Sequence, residues 1–68
     1  MNKQLLKSYI MKHDGTQKNL ADAMGIALQT LNAKINESGT EFNQQELLFI
    51  KKRYKLTDKE FCTIFFAV

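Results

Sequence analysis

Apolar positions along the chain fall into five short runs separated by polar breaks. In the first, Leu6, Tyr9, Ile10 and His13 follow the i, i+3, i+4, i+7 spacing of one buried stripe, with Leu5 widening it. That spacing predicts a helix from Asn2 to about His13. Asp14-Gly15 breaks the pattern, and Thr16 is placed to cap a second helix by accepting a free N–H of its first turn. This helix is expected over Gln17–Met24, burying Leu20, Ala21 and Met24. Gly25 follows, able to take the left-handed conformation that ends a helix. Beyond Ile26 and Ala27, a third helix is expected from Leu28 to about Asn36, with Leu31 and Ile35 inward.

The next two helix starts share one grammar. In "FNQQEL", Phe42 precedes a cap at Asn43, with Glu46 three residues on and Leu47 four on. In "LTDKEF" the same roles fall to Leu56, Thr57, Glu60 and Phe61. Each combines a cap, an acidic residue reaching back to it, and an apolar staple across the first turn. Helices are therefore expected over about Gln44–Tyr54 and about Asp58–Ala67. Leu47, Ile50 and Tyr54 share a stripe on the fourth, which leaves Phe49 displaced. Phe61, Ile64, Phe65 and Val68 share one on the fifth, which leaves Phe66 displaced. Phe49 and Phe66 are thus candidates for an apolar association patch, or for a surface covered by the C-terminal tail. The expected fold is all-α, with five helices around one core and a single domain over residues 1–68.

Composition narrows the class. The chain has 68 residues, 44% of them hydrophobic and 25% charged, with three Gly and no Pro. These proportions fit a small globular domain with short turns. The lone Cys62 allows no internal disulfide, which suggests a reducing, intracellular setting, and its neighbours Phe61 and Ile64 suggest that it packs. "MNKQLLKSYIMKHD" lacks the continuous apolar region of a signal peptide, and no apolar run approaches the ~18 residues of a membrane span. The sequence offers no Gly-rich phosphate loop, no nucleophile spaced with a base and no pair of carboxylates suited to a cleft. A non-enzyme without cofactor or metal is expected, with His13 at the surface or the core edge.

Net charge is +3, and its distribution is uneven. Residues 1–18 carry +3, residues 27–46 carry −2 and residues 47–68 carry +3. Net positive charge flanks the segment of the third helix, whose only charge is Lys34. Lys51, Lys52, Arg53 and Lys55 end the fourth helix, where the helix dipole favours cations on a solvated face.

"TQKNLADAMGIALQTLNAKIN" resembles the helix-turn-helix unit of the lambda-repressor-like (Cro/CI, XRE-type) family. Gln17 opens its first helix, Ala21 stands at the tight crossing, Gly25 in the turn, Ile26 just after it and Leu31 inside the second helix. The downstream sequence, ending in Ile-Phe-Phe-Ala, is similar to that of short phage regulators of this family. The resemblance implies a five-helix lambda-repressor-like DNA-binding domain, with the helix-turn-helix at about residues 17–36. It also implies a transcription regulator of the lytic/lysogenic switch in the cytoplasm of a bacterial host.

Carried over by position, Gln17 and Lys18 would approach phosphate at the start of helix two. Ala27, Leu28, Gln29, Thr30 and Ala33 would line the groove side of helix three. The Gln29 amide suits adenine N6 and N7, and Thr30 a phosphate or a thymine methyl. Asn32 and Lys34 would reach the backbone, or the Lys34 stem would snorkel across the core edge. The expected partner is double-stranded operator DNA, with a homodimer implied by relatives that pair. The same residues admit a second reading. Ala27 offers helix three no side-chain cap, Leu28 is apolar, and Glu37 and Glu41 make the next loop acidic. These features suit an antirepressor or modulator of repression that binds a partner repressor protein.

Overall fold

The computed structural model describes residues 1–66. Five helices follow in order: α1 (Lys3–His13), α2 (Gln17–Met24), α3 (Leu28–Ile35), α4 (Gln44–Arg53) and α5 (Asp58–Phe65). Four of the five start at a side-chain cap. Asn2, Thr16, Asn43 and Thr57 each accept the N–H of the residue three positions on. Glu46 and Glu60 complete reciprocal capping boxes at α4 and α5, as their spacing predicts. Ala27 caps nothing with its side chain, and α3 begins bare.

Three helices end in the same way. In α2, Ile26 N–H donates to Ala21 O at 3.0 Å and Gly25 N–H to Asp22 O at 3.1 Å, with Gly25 left-handed at φ 74°. This pair of bonds is the Schellman ending that satisfies orphan carbonyls. α3 repeats it through Ser38 to Ala33 and Glu37 to Lys34. α4 repeats it through Leu56 to Lys51 and Lys55 to Lys52. In these two the left-handed residue is Glu37 (φ 56°) or Lys55 (φ 52°), not glycine.

The helices enclose one core. Leu6, Ile10, Leu20, Ala21, Leu31, Ile35, Ile50 and Ile64 are fully buried, with Tyr54, Leu56 and Phe65 nearly so. Burying each Leu or Ile contributes about 1.5–3 kcal/mol relative to exposure, so these stripes supply the main drive to fold. Asn2 N–H donates to Ile64 O at 2.7 Å, which ties the start of α1 to the last turn of α5. α2 and α3 form the most extensive helix contact, and Ala21 of α2 is fully buried.

Several expectations need correcting. Cys62 is exposed: it stands two residues, about 200° of helix, from Ile64, so inward Phe61, Ile64 and Phe65 turn it outward. Met24 is half-buried, so the α2 stripe buries less than its spacing suggests, whereas His13 is exposed at the end of α1, in keeping with its expected place at the surface or the core edge. His13 stacks on Tyr54, 4.6 Å between ring centroids, and on Tyr9 at 6.1 Å. Tyr54 caps α4 and Phe66 caps α5. Ala67 and Val68, expected in the last helix and its stripe, lie outside the described residues.

Two charge pairs tie α4 to the rest of the fold, one to α3 and one to the C-cap of α1. At its start, Glu46 meets Lys34 of α3. At its end, Arg53 and Tyr54 both meet Asp14, in the turn before α2. About 10 Å of helix axis separates Glu46 from Arg53. α4 is therefore tied to α3 near its start and to the end of α1 near its own end.

Candidate nucleic-acid interface

The first half of α3 forms an exposed, uncharged surface. Gly25 turns the chain out of α2, Ile26 packs against the core and Ala27 leads into the new helix in extended conformation. Ala27, Leu28, Gln29 and Thr30 are exposed, while Leu31 and Ile35 point into the core. Leu28, at 39% exposure, is among the large apolar residues that the fold leaves in solvent. Asn32, Ala33 and Lys34 are half-buried. Among the described residues the Gln29 and Thr30 side chains make no hydrogen bond, so both are free to bond a partner.

Lys34 is committed inward. Its ammonium lies 2.9 Å from Glu46 Oε1 and 3.5 Å from Glu41 O, and its side chain is only 13% exposed. The stem crosses the core edge, and the one cation of α3 is held away from the exposed surface. Lys18 differs: its bridge to Asp22, 3.0 Å long, is exposed on both sides. Such a pair contributes at most about 1 kcal/mol and can be exchanged for another anion at little cost. Gln17 is half-buried at the first position of α2. Gln17 and Lys18 stand at the far end of α2 from Ala27, roughly 12 Å along the helix axis. Of the nine residues the resemblance assigns, the turn and α3 thus bring together Ala27, Leu28, Gln29 and Thr30.

The loop after α3 is acidic at its surface. Glu37 and Glu41 are exposed and form no ion pair among the described residues. The N–H groups of Ser38 and Gly39 donate to Ala33 O and Glu37 O, so neither is free for a phosphate. The basic run that ends α4 is divided. Lys51 bonds Asp58 at 2.5 Å and lies 5.3 Å from the centre of the Phe61 ring, and Arg53 is taken by Asp14. Lys52 and Lys55 are exposed with no acidic partner among the described residues.

Phe49 and Phe66 are both exposed. Phe66, 60% exposed, lines an open groove of about 250 Å³ with Met1, Phe42, Leu47 and Phe65, and Glu37 and Glu41 line it too. Phe49 stands about 200° around α4 from Leu47 and is not part of that groove.

Two interactions elsewhere have electrostatic consequences. The Arg53 hydrogen bond, reinforced by Tyr54, holds the Asp14 carboxyl below the usual range. Burial, with the Asp14 carboxylate beside it, pushes the Tyr54 hydroxyl well above its ordinary value. The sequence gives no local sign of either contact. No group of three His, Cys, Asp or Glu among the described residues is placed to hold a metal ion. No helix among them is long and apolar enough to cross a membrane. No family model, curated protein or solved structure matches the chain.

Proposed function

We propose that this chain is a helix-turn-helix transcription regulator of the phage or prophage kind, which places α3 in the major groove of operator DNA. The observation that carries the reading is the exposed run Ala27–Thr30, presented by a helix pair with the small Ala21 and left-handed Gly25 of the resembling family. Gln29 is the base reader, its amide matching the donor and acceptor of adenine. Thr30 contacts a phosphate or a thymine methyl, while Ala27 and Ala33 allow close approach. Gln17, Lys18 and Asn32 bond the backbone, with Lys18 leaving Asp22 for a phosphate. Such contacts position the protein, and the base contact specifies the site. Pairing of two copies on a two-fold operator belongs to the same reading.

A second reading rests on Leu28, exposed at the first position of α3, with the lysine of that helix turned inward and an acidic loop following its other end. That surface suits a protein, and the chain is then an antirepressor or modulator of repression acting on a partner repressor. One experiment separates the two. The purified chain is mixed with duplex DNA from its own promoter region, alone and with the neighbouring repressor, at two salt concentrations. Sequence-specific binding alone, with affinity falling steeply as salt rises, supports the operator reader. No binding alone, together with a changed repressor–DNA shift, replaces it with the second reading.

A further inference from the structure

We infer that Lys34 and Glu46 are positioning residues for the exposed face of α3, and that Lys34 makes no contact with bound nucleic acid. The inference rests on the reading that α3 meets duplex DNA. It also refines that reading, because Lys34 is the one cation α3 could offer a phosphate.

α3 is only two turns long, carries no side-chain cap and docks through Leu31 and Ile35 as its fully buried residues. Two apolar anchors on one stripe resist lifting but resist rolling about the helix axis less well. Lys34 stands next to Ile35, about 100° around the helix, and is gripped from the side by α4. Glu46 Oε1 accepts both from Lys34 Nζ and from Asn43 N–H, each at 2.9 Å. The atom that closes the capping box of α4 is therefore also the atom that holds α3. Both side chains are mostly withdrawn from water, at 13% and 16% exposure, so neither charge is well solvated without the other. Glu41 O and the Schellman ending at Glu37 and Ser38 close the loop against the same turn of α3. Rolling α3 would break the pair and carry Gln29 and Thr30 off their setting.

The test is a double-mutant cycle of Lys34→Met, Glu46→Gln and the double variant. Gln at 46 can still accept from Asn43 N–H, and Met at 34 replaces the buried stem. Circular dichroism melts establish that each variant is folded at the assay temperature. Affinity for a promoter duplex is measured across a salt series. Positioning predicts that each single variant binds about 3- to 10-fold more weakly, that the double variant is no worse than either, and that the salt slope is unchanged. A direct phosphate contact predicts otherwise. Lys34→Met would lower the slope by about 0.9, and Glu46→Gln, by freeing the ammonium, would strengthen binding. Either result overturns the inference, as do additive losses in the double variant.

An amide-shift map of the DNA-free protein decides independently of binding. Both single variants should move the Leu28 and Gln29 amides, at the opposite end of α3, and unmoved amides overturn the inference. If the wild type binds no duplex at any salt, the proposed function fails, and the amide map alone decides the positioning role.

Discussion

The guanidinium of Arg53 grips the carboxylate of Asp14 across 39 residues of sequence, with Nε 3.2 and 3.3 Å from its two oxygens. The Tyr54 hydroxyl donates to the same carboxylate. Only 4% of the Asp14 side chain is exposed, so the carboxylate depends on these donors for its stabilisation. Asp14→Asn keeps the shape but places an amide N–H₂ among donors. The expected loss is about 2–3 kcal/mol, the scale for breaking a charged hydrogen bond shielded from water. In so small a domain this lowers the melting temperature by roughly 10–20 °C, which a thermal melt at neutral pH checks. The same variant bears on acid stability. Arg53 lowers the folded-state pKa of Asp14, so its contribution is present above the unfolded value and is lost as pH falls through the lower folded one. Wild-type stability should decline below about pH 4, and the decline should be shallower in Asp14→Asn. Equal acid slopes would show that the pair does not carry this dependence.

Tyr54 acts at the other end of the pH scale. Its folded-state pKa is raised by burial and by Asp14, so the unfolded chain ionises first as the solution becomes alkaline. The stabilisation is complete below about pH 10 and drains away as the pH rises from there. Tyr54→Phe should be less stable than wild type at pH 7, through the lost hydrogen bond, and should lose less on going to pH 11. Urea midpoints at the two pH values measure both effects, and parallel losses would sink the assignment.

Much of this architecture is legible in the sequence because its signals are local. Thr16, Asn43 and Thr57 announce their helices within four residues, and Gly25 announces the end of α2. Leu31, Ile35, Ile50 and Ile64 follow from periodicity alone. What escapes is contact between segments far apart in the chain. Nothing near Asp14 points to Arg53, and nothing near Lys34 distinguishes a phosphate ligand from a partner of Glu46. The exposure of Cys62 was available from the helical angle that separates it from Ile64, although its apolar neighbours suggest burial. The left-handed Glu37 and Lys55 carry no glycine to mark them; for Lys55 the apolar Leu56 that follows is the remaining signal. For the candidate interface, sequence finds the exposed positions at the start of α3 but leaves its lysine with two settings, at the DNA backbone or across the core edge.

The bare start of α3 is open to improvement. Ala27 already has the extended conformation of a cap, φ −69° and ψ 149°, but no side-chain acceptor. Ala27→Ser should supply one and stabilise the domain by about 0.5–1 kcal/mol. A melting temperature raised by several degrees is expected, and an unchanged or lower one would mean that the new hydroxyl does not reach the first-turn N–H groups.

The left-handed residues that end α3 and α4 offer a second gain. A side chain at positive φ crowds its own backbone, at a cost of roughly 1–2 kcal/mol, whereas glycine is spared this but gives up more entropy on folding. Glu37→Gly and Lys55→Gly should each stabilise by up to about 1 kcal/mol, and because the two sites serve different helices their effects should add. Denaturant titration of both singles and the double checks this. Destabilisation of either would show that the lost side chain contributes more than the relieved strain.

The face of α3 can be interrogated one side chain at a time, because among the described residues the side chains of Gln29 and Thr30 make no hydrogen bond. Gln29→Ala removes an exposed amide and should leave stability within about 0.5 kcal/mol of wild type. If Gln29 reads adenine, the variant loses about 1–3 kcal/mol of affinity for the cognate duplex but little for random duplex, since the phosphate contacts remain. Leu28→Glu tests the competing surface. Its carboxylate would stand at the first position of α3, where the helix dipole tolerates it, so the fold should survive. Repressor binding should be abolished if Leu28 is the anchor of a protein interface. Competition binding with cognate DNA, random DNA and the partner repressor reads both variants in one format. Equal losses on cognate and random DNA for Gln29→Ala would remove its role as base reader, and undiminished repressor affinity in Leu28→Glu would remove Leu28 from that interface.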